Sequence, residues 1–548
     1  MKNRASASSF WCGWGPPDSR FAARILFPSG DRLVSRGGSV MRLGVDFGTT
    51  RTVVAAADRG NYPVISFQGP SGDSRGWYAS VVAAGTGEKP LFGLDAEARF
   101  GEPGWSFLKS FKRLLGSNAA NASIQLEATR YSTLDLVTQF LSQLKTDLLE
   151  RSNLDLARGE RLEAFIAVPA NANSNQRFIT LESFARAGFA VLGMMNEPSA
   201  GGIEFAHRYG TKHSAKREHL VVYDLGGGTF DASVITVKGE GFDVLANEGV
   251  ARLGGDDFDQ ILMELVLARL GSTAIDPRTE FDLLELCRTA KENLNPNSRR
   301  ISIDAEHLFP GVSEVVIPTA EFYERCQPLV EQTIEAVELA TARALGNFDD
   351  PWSEVTALYL VGGSSDLPIV ARTLRDRYGR RVRRSPYPYA ATAIGLAIAA
   401  DRVKTQRLQE RFSRYFGVWR EADYGRVITF DPIFPRETPL PHDGQPDLVS
   451  TRRYRPVHNL GYFRYLECSR LDSEGRPAGD ITPWDAVAFP FDPGLQKQAP
   501  ESVQVQRQPG VEEHVVEEHY RCDPVGIIEV TIADQTTGFS KSYRLRKS

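Results

Sequence analysis

Regular patterning begins at Met41. Leu43 and Val45 alternate with smaller neighbours and Thr52-Val53-Val54-Ala55 follows shortly after, which predicts a β-hairpin with Phe47-Gly48-Thr49-Thr50 in its turn. Leu134, Val137, Leu141, Leu144 and Leu148 recur at the spacing of one helix face, so residues 132–150 read as a helix with a core side. Ala164-Phe165-Ile166-Ala167-Val168 is a short apolar run stopped by Pro169, and Val221-Val222-Tyr223-Asp224 is another stopped by glycines. Both read as buried strands. Residues 390–400 are rich in small residues and helical in pattern. Val403, Leu408, Phe412 and Phe416 share one helical stripe, which predicts a charged, packed helix over residues 401–415. From Phe416 the pattern turns to short alternating runs broken by Thr-Pro and Pro-Gly, the signature of strands, edges and loops.

The turns carry the chemistry. Leu43-Gly44-Val45-Asp46-Phe47-Gly48-Thr49-Thr50 and Asp224-Leu225-Gly226-Gly227-Gly228-Thr229-Phe230-Asp231 each end a strand in an aspartate, a glycine turn and threonine. Glycines let the backbone turn sharply and leave its amides bare for phosphate oxygens. Threonine adds a hydroxyl, and the carboxylates suit the hard oxygen chemistry of magnesium. One glycine run is only a tight turn. Two such hairpins in one chain point to two half-domains closing on a phosphate from opposite sides.

These two stretches together resemble the ATPase of the seventy-kilodalton heat-shock chaperones of the DnaK type, in the actin-like superfamily. The resemblance covers residues 41–400 strongly and 416–548 weakly. It implies an α/β fold, with an actin-like two-lobed ATPase domain over 41–400 followed by a β-sandwich substrate-binding-like domain over 416–548. Where the family has a short apolar linker and a closing helical lid, this chain departs from it, with a charged linker over 401–415 and no helical lid expected after the sandwich. Residues 1–40 show no periodicity and read as a disordered extension before translation starts at Met41. A transit peptide is the alternative reading of that extension.

By the same resemblance, Lys112 of Lys112-Arg113-Leu114-Leu115-Gly116 would orient the attacking water, although on spacing alone its basic stretch is a solvated face. Glu197, in Asn196-Glu197-Pro198-Ser199-Ala200, would hold Mg2+ through water together with Asp46 and Asp224. Asp224 or Asp231 would position the nucleophile, with Thr229 beside them. Gly48, Thr49, Thr50, Gly226, Gly227, Gly228 and Thr229 would hold phosphates. Gly254 and Gly255 of Leu253-Gly254-Gly255-Asp256-Asp257-Phe258-Asp259, with Lys291, Gly362, Gly363 and Ser364, would complete the site for ATP or ADP, with Mg2+ and room for K+. Pro169 and Arg177 match a pair that relays nucleotide state, though Pro169 reads equally as a strand terminator.

Two positions depart from that pattern. Where the family carries basic residues that sandwich the adenine, this chain has Glu292 and Asp366. Each stacked cation contributes about 0.5–2 kcal/mol, so losing both predicts ATP affinity weaker by about one to two orders of magnitude or more. Arginine restored at both positions should then tighten ATP.

Composition narrows the partners. A chain of 548 residues exceeds one core and implies several subdomains. Its net charge of −5 argues against nucleic acid as the main partner. No apolar run reaches the ~18 residues of a membrane span. The five cysteines are scattered, with no metal-site spacing, and read as reduced packing residues of a cytoplasmic protein. The expectation is an ATP-hydrolysing, chaperone-like protein acting on polypeptides, served by a co-chaperone or exchange factor. The alternative is a nucleotide-sensing module that turns over little and binds one dedicated partner. A small-molecule kinase of the same superfamily fits poorly, because such an enzyme has no use for the sandwich.

Overall fold

A computed structural model describes residues 33–34, 40–117, 122–127, 129–156, 160–210, 218–238, 241–271, 275–403, 407–422, 426–442 and 444–544. The expected extension lies outside them, except that Leu33–Val34 pairs in parallel with Leu154–Asp155 and that Val40 opens the first strand.

Two sheets with the same internal plan organise residues 40–409. The first has five strands in the order Ala190–Asn196, Arg161–Val168, Val40–Asp46, Arg51–Ala56 and Tyr78–Ala79. The second has six, ordered Val382–Arg384, Val355–Val361, His219–Leu225, Phe230–Lys238, Gly241–Val250 and Arg407–Gln409. Each centres on an antiparallel hairpin whose first strand is also flanked by a parallel partner. Those are the two predicted phosphate hairpins, Val40–Asp46 with Arg51–Ala56 and His219–Leu225 with Phe230–Lys238. The expected helix is Thr133–Glu150, capped by the Ser132 hydroxyl and packed through Leu134, Val137, Leu141, Leu144 and Leu148.

Between the sheets, helices Glu197–Tyr209 and Ala391–Asp401 form a separate core with Val53, Val222 and Tyr359. The small residues of Ala391–Asp401 have a steric cause. A Cβ on Gly44 would lie 2.2 Å from the Ala393 carbonyl oxygen, and one on Gly395 would lie 1.9 Å from that of Ala200. Strand and helices therefore touch backbone to backbone, and residues 391–400 are all buried.

Beyond Asp401 the described residues contain strands and short 3-10 turns but no α-helix. Two four-stranded antiparallel sheets carry this region. One orders Val427–Phe434, Tyr415–Ala422, Tyr465–Leu471 and Pro477–Pro483, and the other Leu448–Tyr454, Val516–Cys522, Ile528–Asp534 and Ser540–Arg544. Phe416, Tyr465, Tyr520 and Ile528 belong to their common core. Alternate residues of Ile528–Asp534 are buried, the period of a strand with one face inward. Cys287, Cys326, Cys468 and Cys522 are buried and free. No helix among the described residues is long and apolar enough to cross a membrane.

The charged segment is not the helix its stripe predicts. Arg407–Gln409 is a strand, pairing in parallel with residues 241–243 at the edge of the second sheet. Leu408 packs against the core between the lobes, whereas Phe412 and Phe416 join the β-rich core, where Phe412 stacks on Phe434 at 5.4 Å. Val403 is 36% exposed. Apolar residues that serve two different cores cannot share one helix face.

Buried polar contacts fix the β-rich region to the first lobe. Glu467 accepts from the main-chain N–H of Ser174, at the start of helix Ser174–Arg186, at 3.1 Å, and lies 3.6 Å from Arg414. Glu410 accepts from the Asn196 N–H at 2.9 Å and its side-chain amide at 2.6 Å, while Arg177 donates to the same Asn196 at 2.5 Å. Glu467, Arg414, Glu410 and Arg177 are all buried. Removing one partner of such a pair leaves the other charge desolvated. Arg414, however, keeps Asp480 at 2.6 Å, so Glu467→Ala strands chiefly the Ser174 N–H and should destabilise the full chain by about 1–3 kcal/mol, read as a lower midpoint in denaturant unfolding.

Candidate functional site

The two hairpins meet across a cleft of about 690 Å³. Their glycines are small because the lobes touch there. A Cβ on Gly227 would lie 2.1 Å from Thr50 Oγ1, and one on Gly228 would lie 2.6 Å from the Thr49 methyl. Gly362 has φ +81°, and a Cβ there would strike the Leu225 carbonyl oxygen. Gly254 packs on the Gly227 peptide, and Gly255 faces the Ser364 hydroxyl.

Lys112 sits in the 3-10 turn Phe111–Arg113, just after Ser110, whose backbone is left-handed at φ 54°. That bend puts the Lys112 ammonium 2.5 Å from Glu197 Oε1. Glu197 is the first residue of helix Glu197–Tyr209, where a carboxylate complements the helix dipole. Lys112, Glu197 and Asp224 are 4%, 7% and 7% exposed, and with Asp46 they line the cleft floor.

Burial and the carboxylates' mutual repulsion shape their titration. Burial pushes Asp46 up to about 7, with Glu197 adding to the rise and Lys112 opposing it. Burial, then Glu197 and Asp46, lift Asp224 well above the ordinary carboxylate range. Asp231 rises likewise, through burial first and then Glu197 and Asp224. Burial works against the charge of Lys112, yet Glu197, Asp46 and Asp224 together hold it above its usual value.

Most of the predicted residues converge. Asp46, Gly48, Thr49 and Thr50 line the cleft from the first hairpin, and Gly226, Gly227 and Thr229 line it from the second. Gly255, Lys291, Gly362, Gly363 and Ser364 complete it. Gly228 and Gly254 do not line the cleft and act by close packing. Asp231 belongs to a separate space of about 70 Å³, which it shares with Pro169, Lys112 and Thr229, and it accepts from the Asn171 N–H at 3.3 Å. Lys291 is already committed, 2.6 Å from Asp259 and donating to the Gly255 carbonyl at 2.7 Å.

The donor set fits a phosphate chain with a hydrated divalent cation. Among the described residues, no three His, Cys, Asp or Glu side chains come close enough to ligate an ion directly. A magnesium ion retains several waters and needs only one or two carboxylates, so Asp46, Glu197 and Asp224 suit contact through its water shell.

Sequence reasoning missed several groups. Asp256 joins Thr50 at 3.3 Å, Ser110 at 2.5 Å and Arg288 at 3.0 Å, tying the first hairpin to the opposite lobe. Farther out, Phe107 stacks on Phe281 at 4.7 Å and Lys109 pairs with Glu285 at 2.5 Å, bridging the lobes. Arg51 and Arg384 also line the cleft, paired with Glu292 and Asp366. Arg51 directly follows the first threonine pair, but only its partner across the cleft marks it as a site residue.

The sequence model described as Hsp70 protein matches residues 42–411. The chain is 31% identical to the chaperone protein DnaK of Thermotoga petrophila over 450 residues, 77% of this chain and 72% of that protein. It is 30% identical to the chaperone protein HscA homolog of Variovorax paradoxus over 375 residues, 66% of this chain and 58% of that one. Heat shock 70 kDa protein BIP3 of Oryza sativa subsp. japonica matches at 28% over 553 aligned positions, 94% of this chain and 77% of that protein.

The raised carboxyls predict a pH response. Asp46 titrates near 7 when folded and near ~4 when unfolded, so folding takes up a proton between these limits. Metal-free protein should lose stability as pH rises from about 4 to about 7, by on the order of 1 kcal/mol per pH unit, with no further loss from this group above that. Urea unfolding in a chelator at pH 5 and pH 8 measures the slope, and Asp46→Asn should reduce it by this group's share, leaving that of Asp224 and Asp231.

Proposed function

The chain belongs to the Hsp70 family, and we propose that it binds and slowly hydrolyses ATP, using the nucleotide cycle to govern polypeptide binding by its β-rich region. The observation that carries this reading is the buried Lys112–Glu197 pair on the cleft floor, at 2.5 Å, between two glycine–threonine hairpins. We assign the ATPase to residues 41–400 and the polypeptide-binding region to residues 416–548.

Bound ATP with Mg2+ would supply an activated phosphoric anhydride whose charge is screened by the cation. The protein's part is positioning. Thr49, Thr50 and Thr229, with the turn amides around Gly48 and Gly227, hold phosphate oxygens from both lobes. Asp46, Glu197 and Asp224 would hold the cation through its water shell. Lys112 presents a charge that cannot reorient, because Glu197 holds it, and it lines both the cleft and the smaller space containing Asp231. A water held between Lys112 and Asp231 would face the terminal phosphate from that smaller space. Fixed charge in a dry site stabilises developing charge without reorganisation.

A nucleotide-sensing module with a dedicated partner is the rival reading. The contacts of Glu410 and Glu467 with the first lobe favour it insofar as they hold the β-rich region to the ATPase. Single-turnover hydrolysis separates the two. Lys112→Ala should bind ATP within a few-fold of wild type and hydrolyse it about 10²–10³-fold more slowly, as measured by single-turnover phosphate release. Wild type that binds ATP with no Lys112-dependent release would favour the sensing module.

A further inference from the structure

We propose that Arg51 and Arg384, oriented by Glu292 and Asp366, form a base-recognition clasp at the mouth of the cleft for the purine of a nucleoside triphosphate. The proposal rests on the nucleotide-binding reading above and specifies how this chain holds the base.

Burial separates floor from mouth. Lys112, Glu197 and Asp224 are nearly inaccessible, whereas the four mouth side chains are between 30% and 43% exposed. They come from four elements and form two ion pairs. Arg51, opening strand Arg51–Ala56 of the first lobe, lies 2.6 Å from Glu292, the last residue of helix Pro277–Glu292 in the second. Arg384, ending strand Val382–Arg384, lies 3.0 Å from Asp366, at the end of the turn Gly363–Asp366. The Arg51 guanidinium also sits 4.3 Å from the centroid of Trp77, itself a lining residue. Exposed ion pairs of this kind add little stability by themselves. Their consequence here is orientation, because each carboxylate holds a planar cation in the wall of the cleft.

Trp77 also carries the Arg75 guanidinium at 3.9 Å from its centroid, and a guanidinium fixed by a carboxylate beside such a ring can offer a free face to a purine. A triphosphate without a base cannot use it. The sequence alone shows two carboxylates where cations are expected and predicts a weakened base site. In the folded chain each carboxylate brings an arginine with it, so the cations are relocated, not lost. The expected effect of restoring arginine at both positions therefore reverses. Glu292→Arg with Asp366→Arg would crowd four guanidiniums at the mouth and disperse the two already in place.

The test is calorimetric titration of the full chain with MgATP and with magnesium tripolyphosphate. Wild type should prefer ATP. Arg51→Ala and Arg384→Ala should each weaken ATP about tenfold, the worth of one stacked cation, and leave tripolyphosphate within about twofold. Glu292→Gln should lower the same ATP-to-tripolyphosphate ratio by a smaller factor, and the double arginine variant should bind ATP more weakly than wild type. A ratio unchanged in both alanine variants, or tighter ATP binding by the double arginine variant, overturns the clasp while leaving nucleotide binding intact. Failure of wild type to bind either ligand overturns the nucleotide reading itself.

Discussion

For this cleft to exist, two hairpins from separate sheets must approach until only a hydrogen atom fits between them. Thr50 Oγ1 occupies the place a Gly227 side chain would take, and the Thr49 methyl crowds that of Gly228. The rule repeats beneath the cleft, where Gly44 meets the helix carrying Ala393, and Gly395 meets Ala200. These contacts set the distance between the sheets, and the nucleotide-sized space is what that distance leaves open. A larger residue at any of them would part the lobes. The glycines thus serve geometry first, and their exposed amides follow from it.

The floor so formed is electrostatically incomplete. Asp46, Glu197 and Asp224 gather around one ammonium, with Asp231 close enough to feel two of them. Burial makes each negative charge costly, and a single lysine cannot offset them all. In the protein alone the cost shows as raised titration of Asp46, Asp224 and Asp231. A hydrated divalent cation relieves it without protonation, while phosphates in turn need the cations and amides that the hairpins supply. Metal and phosphate therefore fit the floor better together than either does alone.

What the sequence made legible was local. The hairpins, the helix Thr133–Glu150 and the strands ending at Val168 and Leu225 follow from period and punctuation within a dozen residues. Asp46 and Asp224 were found because each sits at the end of such a strand, whereas Lys112 and Glu197 were found only through the family resemblance. What escaped depends on partners far along the chain. Asp256 contacts Thr50 from 206 positions away, and Arg51 meets Glu292 across 241. Glu292 and Asp366 read as departures from the family pattern, but their ion pairs with Arg51 and Arg384 appear only in the folded chain. Residues 401–415 misled for a related reason, since the helical spacing of Leu408, Phe412 and Phe416 is coincidence once they enter different cores. Asp231 is the direct cross-strand partner of Asp224 and shares its face of the sheet, yet it lines the smaller space beside the cleft and not the cleft itself.

The same floor connects physically to the β-rich region. Glu197 follows Asn196, and Asn196 is gripped by Glu410 through both its main-chain and side-chain nitrogens and by Arg177 through its oxygen. Arg177 also reaches the Val525 carbonyl of the β-rich region at 3.4 Å. A movement of Glu197 that follows Lys112 or a bound cation must carry Asn196 with it or lengthen its bonds to Glu410. Glu410 is buried, and burial raises its titration point, so an ungripped Glu410 would have to be rehydrated or protonated. A weak polar contact at the surface would absorb such a shift at no cost. A buried one does not, and that difference gives the segment at Glu410, and through Arg177 and Val525 the β-rich region, an energetic stake in where Glu197 sits.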